Sequence, residues 1–141
     1  MTFKEIFREN YDYRLSHKAP CKDEDFPNNS LDNPSDIYPE DLYSPMGWRY
    51  YTSGYPDIDK KCHKLFIKYH NKPNAKVTIY RAVPKNVQEI NPGDWVTICK
   101  KYAEIHGNAN LRNGYHIIEK TVKASQLFTE GNSLAEFGYC P

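Results

Sequence analysis

After Asn74 the chain alternates apolar and polar residues with a period of two; before it, the clearest period is 3.6. Ile58, Cys62, Leu65, Phe66 and Tyr69 fall on a single helical stripe. Asp57 is the expected N-cap of that helix, and Pro73 ends it. Nearer the start, Thr2 and Glu5 form a capping box for a short helix through Tyr11, with Phe3, Ile6 and Phe7 on its apolar side. Residues 20–47 are rich in Pro, Asp, Asn and Ser and hold no period. They read as a long irregular segment, either functional or an ordered wrap around the core.

The second half reads as strands. Residues 76–82 put Val77, Ile79 and Arg81 on one face, and Pro84 stops them. Asn91-Pro92-Gly93-Asp94 has the chemistry of a type II turn, with Pro at its second position and Gly at its third. A short strand is expected over 95–99, then a helical turn over 102–106 closed by Gly107, then a polar loop over 108–113. Residues 115–122 form the longest alternating strand. Turns follow over 124–128 and 130–132, and a last strand over 134–139.

Composition sharpens this division. Seven of the ten prolines and eight of the twelve tyrosines lie in residues 1–75, whereas all five valines lie between Val77 and Val122. Valine favours strands and proline is kept out of their interiors. The expectation is therefore one α+β domain over 1–141. Its first 75 residues form a helical and looped part, and residues 76–141 a strand-rich core.

Charge and cysteine usage narrow the class. Nineteen basic against eighteen acidic residues lack the excess of a general nucleic-acid binder, while leaving room for a local basic patch. No stretch approaches the ~20 apolar residues of a membrane span, and Met1–Glu5 lack a signal peptide's apolar core. Cys21, Cys62, Cys99 and Cys140 show neither a CxxC pair nor zinc spacing, so free thiols in a reducing cytoplasm are expected. No metal is expected. HExxH, P-loop and GxSxG motifs are all missing from the chain.

Three residues carry candidate chemistry. Arg81 shares a face with Val77 and Ile79, Glu136 stands between Ala135 and Phe137, and Thr97 lies inside the strand after Trp95. Charges on apolar faces are costly unless paired or opening into a cleft. One reading is an Arg81–Glu136 ion pair that only joins strands. The other is a cleft where a guanidinium grips an anionic ligand and a carboxylate faces a developing cation.

The run VTIYRAVPKNVQEINPGDWVTICKKYAEIHG, with the later GYHIIEKTVKASQLFTEGNSLAEFGY, resembles the mono-ADP-ribosyltransferase superfamily in the small forms of phage and mobile elements. The likeness spans residues 74–141. It implies a split two-sheet core that binds NAD+ as substrate. In that pattern Arg81 holds the diphosphate, Thr97 supports the site, and Glu136 bonds the nicotinamide ribose and stabilises the oxocarbenium. Two positions depart from it: Thr97-Ile98-Cys99 stands where Ser-Thr-Ser is common, and Leu134 where arginine-modifying members carry Glu or Gln.

The resemblance implies ADP-ribose transfer to a protein or nucleic-acid target in a bacterial host cytoplasm, in a toxin, defence or counter-defence role. An inactive binding or inhibitor protein, and an NAD+ glycohydrolase, are the alternatives. Tyr80 and Tyr102 are read either as stacking on a flat ligand ring or as core packing. His106 is read either as a helix-end cation or as an NAD+ contact. Arg14 and His17 are exposed-loop candidates.

Overall fold

The structure, a computed structural model, describes residues 18–141. The expected helix near the start, Arg14 and His17 lie outside the described residues.

The 3.6-period stripe forms helix α1, Pro56–Tyr69, which buries Ile58, Cys62, Phe66 and Tyr69. Its N-cap is Tyr55 rather than Asp57, with Pro56 in the first turn. Proline suits that place because its φ is already helical and it has no N–H to orphan. Asp59, within the first turn, is fully buried and accepts hydrogen bonds from Thr52 Oγ1, Ser53 Oγ and the Ser53 N–H at 2.6–3.0 Å. It ties the preceding loop down, so the helix start is held from two residues further along than expected.

Five strands follow: β1 Lys76–Val83, β2 Trp95–Thr97, β3 His116–Lys123, β4 Leu127–Phe128 and β5 Glu136–Tyr139. Helix α2, Lys100–Asn110, connects β2 to β3. The strands are antiparallel in the order β3-β1-β2-β5-β4, giving an α+β architecture. They join in one sheet where two were expected. Its narrowest seam is between β1 and β2, which share the single register pair Tyr80↔Thr97, whereas β1 and β3 pair along their whole length.

Several expected boundaries shift for local reasons. Thr97 Oγ1 accepts the N–H of Cys99 at 3.1 Å, turning the chain out of β2 early. Gly107 does not close α2, which runs on to Asn110. A Cβ at Gly107 would stand 2.5 Å from the Tyr115 ring, so the glycine makes room for an aromatic side chain. The 91–94 turn forms as read, with Gly93 at φ 92° and Asp94 N–H bonded to Asn91 O at 3.1 Å.

Residues 20–47 are an ordered wrap. Leu31, Tyr38 and Leu42 enter the same core as Phe66, Ile79 and Phe137. Leu31 N–H bonds Leu127 O, and Thr129 N–H bonds Asn29 O, both at 2.9 Å, which seats the wrap beside β4. His63 Nε2 bonds Leu42 O at 2.7 Å and anchors the short 3-10 turn Glu40–Tyr43 to α1.

The free-thiol expectation fails for one pair. Cys21 and Cys140 form a disulfide, with Cα atoms 5.5 Å apart across 119 residues of sequence. Spacing along the chain carries no sign of it. The pair meets because Pro20 runs directly over Gly138, where a Cβ would lie 2.0 Å from Pro20 O. Cys62 and Cys99 are free and buried. Among the described residues no helix is long and apolar enough to cross a membrane.

Candidate functional site

The register aligns three sequence-predicted residues. Tyr80 pairs with Thr97, and Thr97 pairs with Glu136, so one row crosses β1, β2 and β5. Directly paired residues leave an antiparallel sheet on the same side. Thr97 is 4% exposed, and Tyr80 and Glu136 are half-buried. Gly138, two residues beyond Glu136, points the same way, which puts Pro20 and the disulfide on the side of the carboxylate.

Helix α2 supplies the next contact. The Tyr102 hydroxyl donates to Glu136 Oε1. Tyr102 lies in the first turn of α2, which the Thr97–Cys99 turn launches from the end of β2. The hydrogen bond fixes the Glu136 carboxylate and adds a polar donor to it. His106 stands one turn along the same helix face. It is interior to α2 rather than at a helix end, and Asn110 Nδ2 lies 3.0 Å from its carbonyl and 3.3 Å from its Nδ1.

Arg81 departs from the row. One residue after Tyr80, it leaves β1 on the other side. Its Nη1 donates to Trp95 O at 3.1 Å and pairs with Asp94 at 3.6 Å. The guanidinium therefore braces β2 just beyond the single β1–β2 pair. Its side chain remains 34% exposed. The Arg81–Glu136 ion pair entertained from the sequence is not formed among the described residues, because Asp94 takes the guanidinium instead.

Two features were not read from the sequence. Asp94, counted there only as a turn residue, both accepts the Asn91 N–H at 2.8 Å and pairs with Arg81. An Asp following Pro-Gly and preceding a strand was the available signal. The second is a thiol pair. Cys99 precedes the first turn of α2, and a hydrogen bond from Cys62, aided by the backbone N–H groups of Tyr102 and Lys101, holds its thiol down at about 6. The same contact, with burial, pushes the Cys62 thiol up. Thiols spaced 37 residues apart carry no sequence mark of such a contact.

Leu134, two residues before Glu136, is 0% exposed and sits in the core. The position offers no polar group to the site. No family model, curated protein or solved structure matches the chain.

Proposed function

We propose that this protein is a mono-ADP-ribosyltransferase on an ADP-ribosyltransferase-like fold, cleaving NAD+ and passing ADP-ribose to a macromolecular acceptor. The observation that carries the reading is the Tyr80–Thr97–Glu136 row, with Tyr102 bonded to the carboxylate. The residues present suit the substrate's charges. Arg81 offers a planar donor fork whose partner, Asp94, is a part-exposed carboxylate at 3.6 Å, a weak competitor for a diphosphate.

Each residue has a defined task in this reading. Arg81, which leaves β1 on the side away from Glu136, would hold the diphosphate and the adjacent ribose where NAD+ passes around the narrow β1–β2 seam. Thr97, fixed by its bond to the Cys99 N–H, braces the strand that carries the site. Glu136 accepts from the nicotinamide ribose and stabilises positive charge at the anomeric carbon as the C–N bond breaks and nicotinamide leaves with the bonding electrons. A fixed anion beside a developing cation lowers the barrier more than it stabilises the ground state. Tyr102 positions the carboxylate, and Tyr80 lines the same side of the sheet. The acceptor nucleophile then attacks the anomeric carbon and loses its proton.

Buried Leu134 favours an acceptor other than arginine, water included. The test uses labelled NAD+ and bacterial lysate, with wild type and Glu136→Ala compared. Label on a discrete macromolecule with wild type alone supports transfer. Free ADP-ribose without labelled macromolecule assigns an NAD+ glycohydrolase. Neither label transfer nor nicotinamide release assigns a binding or inhibitor protein.

A further inference from the structure

Helix α1 presents a basic face that carries no ion pair among the described residues. Its stripe of Ile58, Cys62, Phe66 and Tyr69 points into the core, so the opposite arc is outward. On that arc stand Lys60, Lys61, Lys64 and Lys68, all exposed. The one acidic residue on it is Asp57, at its N-terminal edge. Among the described residues none of the four lysines is in an ion pair. A chain of net charge +1 has thus placed on three turns of one helix four lysines that form no ion pair among the described residues, two of them over aromatic rings, Lys60 on Trp48 and Lys68 on Tyr69.

Aromatic side chains adjoin this face. The 3-10 turn Gly47–Arg49 packs on α1 and carries Trp48, whose ring lies under Lys60 Nζ at 4.9 Å and under the Arg49 guanidinium at 5.2 Å. Next to it Tyr50 is 61% exposed, and Tyr55, at the N-terminal end of α1, is 46% exposed. Large rings left in water beside these cations are an unusual surface, since Tyr38, Tyr69 and Tyr139 are buried in the core.

We infer that the outward face of α1 and the 48–55 segment bind single-stranded nucleic acid. Lysines spaced along a helix neutralise phosphates, and exposed tyrosines offer planes on which unpaired bases stack without regard to sequence. Charge complementarity selects a polyanion. The flanking rings select unstacked bases over a duplex, whose bases are occupied, and over an acidic protein, which has no planar groups in register with its charges. A membrane surface fits poorly, because the apolar side of α1 is spent on the core. This surface is independent of the transferase reading and stands without it.

The test is fluorescence anisotropy with the full chain and a 5′-labelled 20-nucleotide mixed-sequence single strand, as DNA and as RNA, against a duplex of equal length. Four phosphate contacts predict a log–log salt slope near about −2.8, a loss of roughly 50-fold between 50 and 200 mM salt. Lys60→Glu/Lys64→Glu/Lys68→Glu is expected to weaken single-strand binding at least about tenfold, with an unchanged far-UV circular dichroism melt. Tyr50→Ala/Tyr55→Ala is expected to remove the preference over duplex while leaving the salt slope in place. Absence of binding at 50 mM salt overturns the inference. So does binding that survives the charge reversal, equal competition by polyglutamate, or binding to phosphatidylserine vesicles in place of the oligonucleotide.

Discussion

Tyr102 and Glu136 lie 34 residues apart in sequence, yet the phenol of the first donates to the carboxylate of the second. The contact joins the first turn of α2 to the start of β5 and orients the group on which the proposed chemistry turns. A hydrogen bond to a charged acceptor is worth about 1.5–3 kcal/mol, or roughly tenfold and upward in rate when it acts on the transition state. Tyr102→Phe is therefore expected to lower kcat for nicotinamide release about tenfold with KM for NAD+ little changed. Glu136→Gln is expected to lower it at least about 100-fold. A Tyr102→Phe enzyme of wild-type kcat would make the contact purely structural.

Arg81 and Asp94 give the second prediction. Their pair is part-exposed and long, so its contribution to stability is under about 1 kcal/mol. In the transferase reading Asp94 competes with the diphosphate for the same guanidinium. Asp94→Asn removes the competing charge and keeps an oxygen to accept the Asn91 N–H. The expected result is a few-fold lower KM for NAD+ with little change in Tm, whereas Arg81→Ala raises KM about tenfold or more by removing a charge-assisted bond. An unchanged KM in both variants would remove Arg81 from the substrate site.

The pattern of side chains made some of this legible before any coordinates and hid the rest. The α1 stripe, the β1 alternation and the 91–94 turn each follow from local spacing, and each appears where local spacing puts it. Thr97 and Glu136 were readable as unusual groups in strands, but their adjacency depends on strand order, which periodicity does not contain. Arg81 was placed on the correct face and with the wrong partner, because Asp94 reaches it across a turn closed by backbone geometry. Gly107 looked like a helix stop because its true reason, the Tyr115 ring, lies across space. Cys21 and Cys140 were silent for the same reason.

That disulfide and Gly138 act on one segment, and their coupling is measurable. Gly138→Ala pushes a methyl group into Pro20, an overpacking expected to cost about 1–3 kcal/mol. Losing the Cys21–Cys140 bond through Cys21→Ser is expected to cost about 2–4 kcal/mol. Once the bond is gone, residues 18–21 can lift away from β5 and relieve the clash. The double variant should be less destabilised than the sum by at least about 0.5 kcal/mol, read by urea unfolding. Strict additivity would mean that Pro20 stays pressed on β5 without its covalent tie.

Tyr38 contributes to the alkaline limit of the fold, as do Tyr43 and Tyr51, whose phenols are also pushed up to about 12. The Tyr38 ring packs edge-on against Tyr51 and Phe66, and its hydroxyl lies near Thr129 without a hydrogen bond of normal geometry. Burial pushes the phenol up to about 12, with Glu136 and Cys62 adding to the rise and Thr129 opposing it. The unfolded phenol titrates near 10, so between pH 10 and 12 the native state binds more protons than the unfolded state. This contribution is complete below pH 10 and is lost as pH rises toward 12, by an amount on the order of 2 kcal/mol. Tyr38→Phe removes the titrating group and also an unsatisfied buried hydroxyl. Stability at pH 7 is therefore expected to stay level or rise, and the alkaline fall in unfolding free energy to become shallower by about one proton. Urea titrations of both proteins from pH 7 to 11.5 would show this as curves that diverge above pH 10, and parallel curves would place the alkaline transition on another group.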